Sequence, residues 1–420
     1  MNRVSAIADK LQSIVGVENL HAATPGDSFC GRQPESVVSP GNEQELAAVL
    51  ACADQAGIAV IPRGGSTKLA WGNAPRKAEL VVSTLRLNHV REHAWADLTV
   101  TVEAGCTLQS LQEVLARHNQ RLALDGLWPE RATIGGVLST NDSGALRLRF
   151  GSLRDLILGV TLALPDGTLA SSGGKVVKNV AGYDLPKLAT GALGTLGVIT
   201  RAVFRLHPRS VESLTLSFAA ATVEQLQEKI LAVLDAQLAQ TALQIRAESS
   251  APLEVDILFE ATAAGLLAQQ DRLQKLLGEI RAERSGDRNW MARQQLWEAS
   301  DPGSVIAKLC LLPTDFAKTL RALEQIATSE TLRWRIVLQA TGLGWLRLDG
   351  RSPGLRAALE RLRREIEERG GSLILLGRPP ELDSLGVWGS EGDAVPLMRA
   401  VKQRMDPKGT LNPGRFVGGI

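Results

Sequence analysis

Cysteine is scarce: Cys30, Cys52, Cys106 and Cys310 are the only four in 420 residues, and none forms a C-x-x-C pair. That spacing argues against a disulfide framework, a zinc site or an iron–sulfur cluster held by this chain alone. An excess of one charge is missing too. Lys and Arg number 47 against 45 Asp and Glu, a net charge of +2, so there is no strongly basic balance of the kind that marks nucleic-acid binding. No apolar run approaches the roughly 20 residues of a membrane-spanning helix. Met1 to Gly16 mixes Asp9, Lys10 and Gln12 into a helical pattern, unlike a signal peptide. These absences predict a cytoplasmic, reducing compartment. Histidine is confined to His21, His89, His93, His118 and His207, so no imidazole lies beyond residue 207.

What is present suits a soluble globular chain of two or three domains, with 44% hydrophobic and 22% charged residues. The densest local signal is Ile61-Pro62-Arg63-Gly64-Gly65-Ser66-Thr67-Lys68, after a short apolar strand from Ile58. Two adjacent glycines let the backbone take positive φ and lie against a ligand. Successive N–H groups in such a turn make an anion-binding nest. Ser66 and Thr67 add hydroxyls, and Arg63 and Lys68 put positive charge at the rim, which is what a pyrophosphate needs. An ordinary glycine-rich turn accounts for the octapeptide equally well on its own. Upstream, Asn42-Glu43-Gln44-Glu45 is a capping box for a helix carrying Leu46, Val49, Leu50 and Ala53. The loop therefore sits at the carboxyl end of a strand in a βαβ-like opening, where α/β folds tend to bind ligands. Trp71-Gly72 ends it.

A second stretch, Ala132-Thr133-Ile134-Gly135-Gly136 to Asn141-Asp142-Ser143-Gly144, clusters small, hydroxyl and amide residues. A flat aromatic ligand can reach backbone only where side chains are this small, although a tightly packed helix with turn residues at its end reads the same way. A third runs from Lys178 to Leu185 and on through Gly194-Thr195-Leu196-Gly197-Val198-Ile199-Thr200, as loop, helix and buried strand. Tyr183, the single tyrosine, is expected to anchor its own loop.

Beyond His207 the glycine clusters thin out, and a βαββα order occurs twice, from Ser213 and from Val305. This suggests an antiparallel sheet backed by helices, as in ferredoxin-like modules. Trp290 and Trp297 are placed on one helix. The chain closes with a helix to about Met405 and a rigid irregular tail, Asp406 to Arg415, rich in proline and glycine.

In this order and spacing, the Pro62–Thr67 loop, Ala132–Gly136 with Asn141–Gly144, Gly194–Thr200 and the tail resemble the FAD-binding domain of the vanillyl-alcohol oxidase and p-cresol methylhydroxylase superfamily. Within it the chain is similar to the glycolate and D-lactate oxidoreductases, most of all to the smaller FAD-binding subunits of bacterial glycolate oxidase (a glycolate dehydrogenase). The resemblance covers residues 30–210 well, the tail moderately, and the middle only by the order of its elements. It implies an α+β fold: a p-cresol methylhydroxylase-type FAD-binding domain at 1–210, a ferredoxin-like antiparallel-sheet second (cap or substrate-type) domain at 211–395, and a C-terminal segment, 396–420, returning to the first.

Carried over, Arg63, Gly64, Gly65, Ser66 and Thr67, with Trp71 and Gly72 closing the loop, would hold the FAD pyrophosphate. Thr133, Gly135, Gly136, Asn141, Ser143 and Gly144 would line the path of the diphosphate and isoalloxazine. Val198 would contact the cofactor through its backbone, and Asn412 would reach it from the tail. Relatives often attach FAD to a histidine in the first loop; Ser66, Thr67 and Lys68 offer none, so binding should be non-covalent. Hydroxy-acid dehydrogenases of the superfamily use second-domain histidines for metal binding and proton removal, and the corresponding turn here, Gln339-Ala340-Thr341-Gly342-Leu343-Gly344-Trp345, has neither histidine nor carboxylate. No metal is expected, and no catalytic residue is assigned. The resemblance implies a component of a glycolate-oxidising complex, with a sister FAD-containing glycolate oxidase subunit and an iron–sulfur subunit as partners. The complex could associate peripherally with the inner face of the cell membrane. A self-sufficient FAD-dependent 2-hydroxy acid dehydrogenase and a non-redox structural subunit stay open as alternatives.

Overall fold

The computed structural model describes residues 3–174, 182–283, 287–298 and 303–420. Its contacts divide the α+β chain into two units: Met1–Ser143 with Gly151–Arg209 and Glu391–Ile420, and Gly144–Phe150 with Ser210–Ser390.

The first unit holds two sheets. One runs in the order Leu20–Ala22, Ser36–Val38, Leu80–Ser83, Val60–Arg63. Its last three strands are parallel, in the register Val37↔Val81 and Ile61↔Val81. The parallel crossover is the helix Glu43–Gln55. Asn42 Oδ1 caps it by accepting from the Glu45 N–H at 2.9 Å, and Glu45 Oε2 accepts from Gly41 N at 2.7 Å. The reciprocal bond of the box thus falls one residue before the cap. Leu46, Val49, Leu50 and Ala53 are buried with Val60, Leu80 and Leu411, and Gly57 ends the turn at φ 64°. The second sheet is antiparallel and five-stranded: Val90–Ala94, Thr99–Glu103, Val198–Arg205, Ile157–Ala163, Leu169–Gly173.

The second unit is built on one antiparallel sheet of eight strands. Each half is a βαββαβ module. The first comprises Glu212–Ala220, the helix Val223–Asp235, Gln240–Glu248, Leu253–Ala261, the helix Ala263–Leu277 and Arg281–Glu283. The other comprises Ser304–Cys310, the helix Phe316–Ser329, Arg333–Gln339, Leu343–Asp349, the helix Ser352–Glu367 and Ser372–Gly377. In both, the first and third strands are central, and the modules join where Gln240–Glu248 pairs with Arg333–Gln339, Gln244 facing Gln339. Helical spacing puts Phe316, Leu320, Leu323 and Ile326, and likewise Leu355, Leu359, Leu362 and Ile366, into one core with Phe218 and Phe259. Elsewhere in the sheet Asp256 is fully buried, and its carboxylate accepts from Arg246, Ser217, Gln244 and Asn289. A charge taken so far from water stays only because its acceptors are filled.

Two sequence expectations change. Trp290 and Trp297 do not share a helix: the segment breaks into Asp287–Trp290 and Ala292–Gln295, and the Trp290 indole donates to Thr215 Oγ1 at 3.1 Å. Tyr183 does not anchor its loop with its ring, which is 88% exposed; its carbonyl accepts from Ser172 Oγ at 2.6 Å. The neighbouring stretch 178–181 lies outside the described residues.

The hairpin after Arg333–Gln339 depends on Gly342, at φ 87°, where an added Cβ would stand 1.9 Å from the Leu311 carbonyl oxygen. Gly342→Ala should therefore cost about 2 kcal/mol or more, lowering the calorimetric unfolding temperature. At the adjacent exposed Thr341, Thr341→Ala should stay within roughly 0.5 kcal/mol of wild type.

Candidate functional site

The strand Val60–Arg63 delivers the chain into a cleft of about 720 Å³, counting space open to solvent. Arg63, Gly64, Gly65, Ser66 and Thr67 all line it. The glycines are needed for proximity, not for backbone hand. A Cβ on Gly64 would lie 2.1 Å from Thr133 Oγ1, and one on Gly65 only 1.7 Å from the Arg131 carbonyl oxygen. Neither Gly64 nor Gly65 takes the positive φ expected of them; it falls instead on Ser66, at 60°.

The rim charges also differ from expectation. Arg63 Nη1 lies 2.6 Å from Asp27 Oδ1. The Thr24 backbone N–H, then Arg63 and the Thr24 hydroxyl, hold the Asp27 carboxyl down at about 2. Lys68 does not stand at the rim. It is 7% exposed, with Nζ 3.3 Å from Asp142 and 3.2 Å from the Leu127 carbonyl oxygen.

The second wall is the short helix Ile134–Thr140. Thr133 Oγ1 caps it by accepting from Gly136 N at 3.3 Å, and Gly135 packs so that a Cβ would meet that of Ala104 at 2.9 Å. Thr133, Gly135 and Gly136 line the cleft, together with Ser139 and Thr140. Asn141, Ser143 and Gly144 are not part of the lining. Asn141 ends the helix in the left-handed region at φ 47°, Ser143 is buried, and Gly144 belongs to the second unit. There the Gln339 amide, oriented to satisfy both of its ends, donates to the Gly144 carbonyl at 3.0 Å and accepts from Ala145 N at 2.8 Å.

Leu193, Gly194, Gly197, Val198 and Ile199 form a third wall, and Asn412 and Arg415 a fourth. The tail reaches the cleft through one parallel bridge: Val60 N donates to the Thr410 carbonyl, and Asn412 N to the Val60 carbonyl, each at 2.9 Å. Lys402 locks it in place. Its ammonium donates to Asp406 at 2.5 Å, the Thr195 carbonyl at 2.7 Å and the Leu411 carbonyl at 2.9 Å, while burial pulls its pKa below the usual lysine range. Asn412 Nδ2 donates to the Leu193 carbonyl at 2.6 Å, leaving Oδ1 buried with no donor among the described residues. Trp71 and Gly72 follow the loop and are not in the cleft lining. The Trp71 carbonyl accepts from Arg415 Nη2 at 2.5 Å, and Gly72 turns at φ 85°.

Ser139, Thr140, Leu193, Thr84 and Arg415 also line the cleft, although the sequence did not single them out. Thr84 had a usable signal. It follows the strand next to Val60–Arg63, and its N–H donates to the Arg63 carbonyl at 2.8 Å. Ser139 and Thr140 are the small residues on the same stretch as Gly135 and Gly136.

The four walls suit a dinucleotide: backbone without Cβ at Gly64 and Gly65, hydroxyls on three segments, and an uncommitted buried acceptor at Asn412. Residues 34–173 match the FAD binding domain family. With p-cresol methylhydroxylase the fold aligns at a TM-score of 0.78, with 13% identity, over 98% of this chain and 96% of that one. Residues of the first unit thus match an FAD binding domain, and the chain has the p-cresol methylhydroxylase-type fold. FAD is the cofactor of this domain. Alkyldihydroxyacetonephosphate synthase also shares the fold, at a TM-score of 0.75 and 16% identity, over 97% of this chain and 84% of that one.

Among curated sequences, D-lactate dehydrogenase of Archaeoglobus fulgidus is 35% identical over 198 residues, 47% of this chain and 44% of that one. Glycolate oxidase subunit GlcD of Bacillus subtilis is 28% identical over 211 residues, 50% of this chain and 45% of that one. Both matches thus span less than half of the relative's length. Bovine mitochondrial D-2-hydroxyglutarate dehydrogenase is 28% identical over 417 residues, 91% of this chain and 76% of that one. Among the described residues no helix is long and apolar enough to cross a membrane.

If the FAD-binding domain holds its cofactor in this cleft, Gly65→Val should purify without flavin, because the new side chain meets the Arg131 carbonyl. Gly174→Val, where an added Cβ meets nothing within 4 Å among the described residues, should keep it. The flavin-to-protein absorbance ratio of the two purified variants is the measurement.

Proposed function

We propose that this chain is the smaller FAD-binding subunit of a multi-subunit glycolate (2-hydroxy acid) oxidoreductase. Its partners would be a sister FAD-containing glycolate oxidase subunit and an iron–sulfur subunit. The observation that carries the reading is a cleft suited to a dinucleotide in a chain whose second unit lacks histidine altogether, since the last one is His207. Removing a hydride from the α-carbon of a hydroxy acid requires a base for the departing hydroxyl proton, and imidazole is the usual group poised near neutrality.

In the hairpin Gln339–Trp345, Gln339 is engaged with Gly144 and Ala145. The buried arginines of the second unit are also committed. Arg347 Nε donates to Asp349 at 2.8 Å and Nη1 to the Leu296 carbonyl at 2.9 Å, while the Arg293 guanidinium lies 4.8 Å from the centre of the Trp345 ring. An arginine stays protonated at neutral pH and makes a poor base. Bound FAD would supply two-electron acceptance and one-electron release. The chain's own residues would hold it: backbone and hydroxyls at Gly64 to Thr67, Thr133 with Gly135 and Gly136, and Asn412 from the tail. Among the described residues lining the cleft there is no histidine, cysteine or tyrosine, which supports non-covalent attachment.

A second reading, a self-sufficient dehydrogenase for a D-2-hydroxy acid, draws on the bovine relative, whose match extends over 91% of this chain. Anaerobic mixing of the isolated, flavin-loaded chain with glycolate or D-lactate separates the two. A chain that depends on its partners should keep its long-wavelength flavin absorbance, because loss of general-base assistance alone slows such a step by roughly 10²–10⁴-fold. Rapid bleaching would establish self-sufficiency in its place. Acid precipitation of the same sample should leave the flavin in the supernatant; colour in the pellet would mean a covalent link.

A further inference from the structure

Three cationic side chains among the described residues line the cleft, and each is engaged by the protein itself. Arg63 is held by Asp27, Arg415 by the Leu69 and Trp71 carbonyls at 2.7 and 2.5 Å, and Lys68 by Asp142. Of the two ion pairs, Lys68 with Asp142 is the more enclosed. Lys68 is 7% exposed and Asp142 1%. The ammonium lies 5.8 Å from the centre of the Trp71 ring and 5.3 Å from that of Trp128.

Three segments meet at this pair. Lys68 Nζ donates to the Leu127 carbonyl at 3.2 Å, and Asp142 Oδ2, 3.3 Å from Nζ, also accepts from the Leu127 N–H at 2.8 Å. Asp142 follows the helix Ile134–Thr140, and its own N–H donates back to the Val137 carbonyl at 3.1 Å. Lys68 follows directly on Ser66 and Thr67, with Nζ 3.5 Å from Thr67 Oγ1, and Ser66 is the residue carrying the left-handed backbone. The pair therefore ties the first wall of the cleft to the second. A buried ion pair of this kind is intolerant of losing either member, because the survivor is left as an uncompensated charge.

We propose that Lys68 is a positioning residue for the FAD diphosphate. Through Asp142 and Leu127 it holds the loop 63–67 in register with the helix that begins after Thr133, and it does not serve as the diphosphate's counter-charge. Negative charge on the ligand is met instead by backbone N–H groups and hydroxyls, so FAD affinity depends little on ionic strength. This rests on the cleft being the FAD site, which the Gly65→Val and Gly174→Val comparison tests separately.

The experiment measures FAD affinity of the deflavinated chain by fluorescence titration at several salt concentrations, for wild type, Lys68→Met, Asp142→Asn and the double variant. Positioning through the pair expects each single change to weaken binding by about tenfold or more, and the double change to be no weaker than the worse single one. A counter-charge role gives the opposite sign at one position. Asp142→Asn would then remove a negative group near the diphosphate and tighten binding, while Lys68→Met weakened it. That result overturns the proposal, as does wild-type affinity in both single variants. Should Asp142→Asn fail to fold, Lys68→Met decides alone: a salt dependence equal to wild type supports positioning, and a shallower one shows that a screened charge contact to the ligand has been lost.

Discussion

The cleft depends on backbone meeting backbone at Gly64 and Gly65. With the next chain segment 1.7 Å from where a Cβ would stand on Gly65, no other residue leaves the loop in place. The side chains of this loop fall on Ser66 and Thr67, and the left-handed residue is Ser66, a conformation a small polar side chain tolerates better than a branched one. What the sequence offers as a glycine pair free to take positive φ is a seam of close backbone approach.

The same constraint explains which parts of the site could be read in advance. Glycine and small-residue runs announce close approach, and Gly64, Gly65, Gly135, Gly136 and Gly194 do lie along one cleft. Charge was harder to read, because a lysine after a glycine loop carries no mark of where its partner lies. Asp142 is far away in sequence, and only the fold brings it to Lys68. Asn141, Ser143 and Gly144 illustrate the reverse case. Their type marks them as ligand residues, while in the fold Asn141 ends a helix, Ser143 is buried, and Gly144 is engaged by Gln339. Residue type does not announce such structural parts.

The fold was legible to a different depth in each unit. Alternation and helical spacing disclosed a doubled βαββα order after His207, and two such modules are present. How the modules join was not visible, because the seam is a pairing of Gln244 with Gln339 across nearly a hundred positions, and strand register is set by neighbours that local pattern does not name. The buried charges at Asp256 and Arg347 were equally hidden. Desolvation of Asp256 is offset by hydrogen bonds from two neighbouring strands and from Asn289, and that of Arg347 by Asp349 on its own strand and the Leu296 carbonyl, partners that only the assembled fold supplies.

The tail shows why both ends of the chain are needed for one site. Val60 begins the strand that leads into the loop, and its N–H and carbonyl are bonded by Thr410 and Asn412. An edge strand with open hydrogen-bonding groups is thereby closed by residues from the far end of the chain. The closure is secured by Lys402, a buried ammonium that reaches Thr195 beside the third wall, Leu411 in the tail and Asp406 at once. Asp406 in turn accepts from Thr410 N at 2.9 Å and Leu411 N at 2.8 Å, so the turn that aims Asn412 is held by the carboxylate that neutralises Lys402. Two enclosed lysine–aspartate pairs, Lys68 with Asp142 and Lys402 with Asp406, therefore fix the first, second and fourth walls of the cleft. The charge of these two lysines goes to holding walls in register, and the walls present backbone and hydroxyl groups to whatever they enclose.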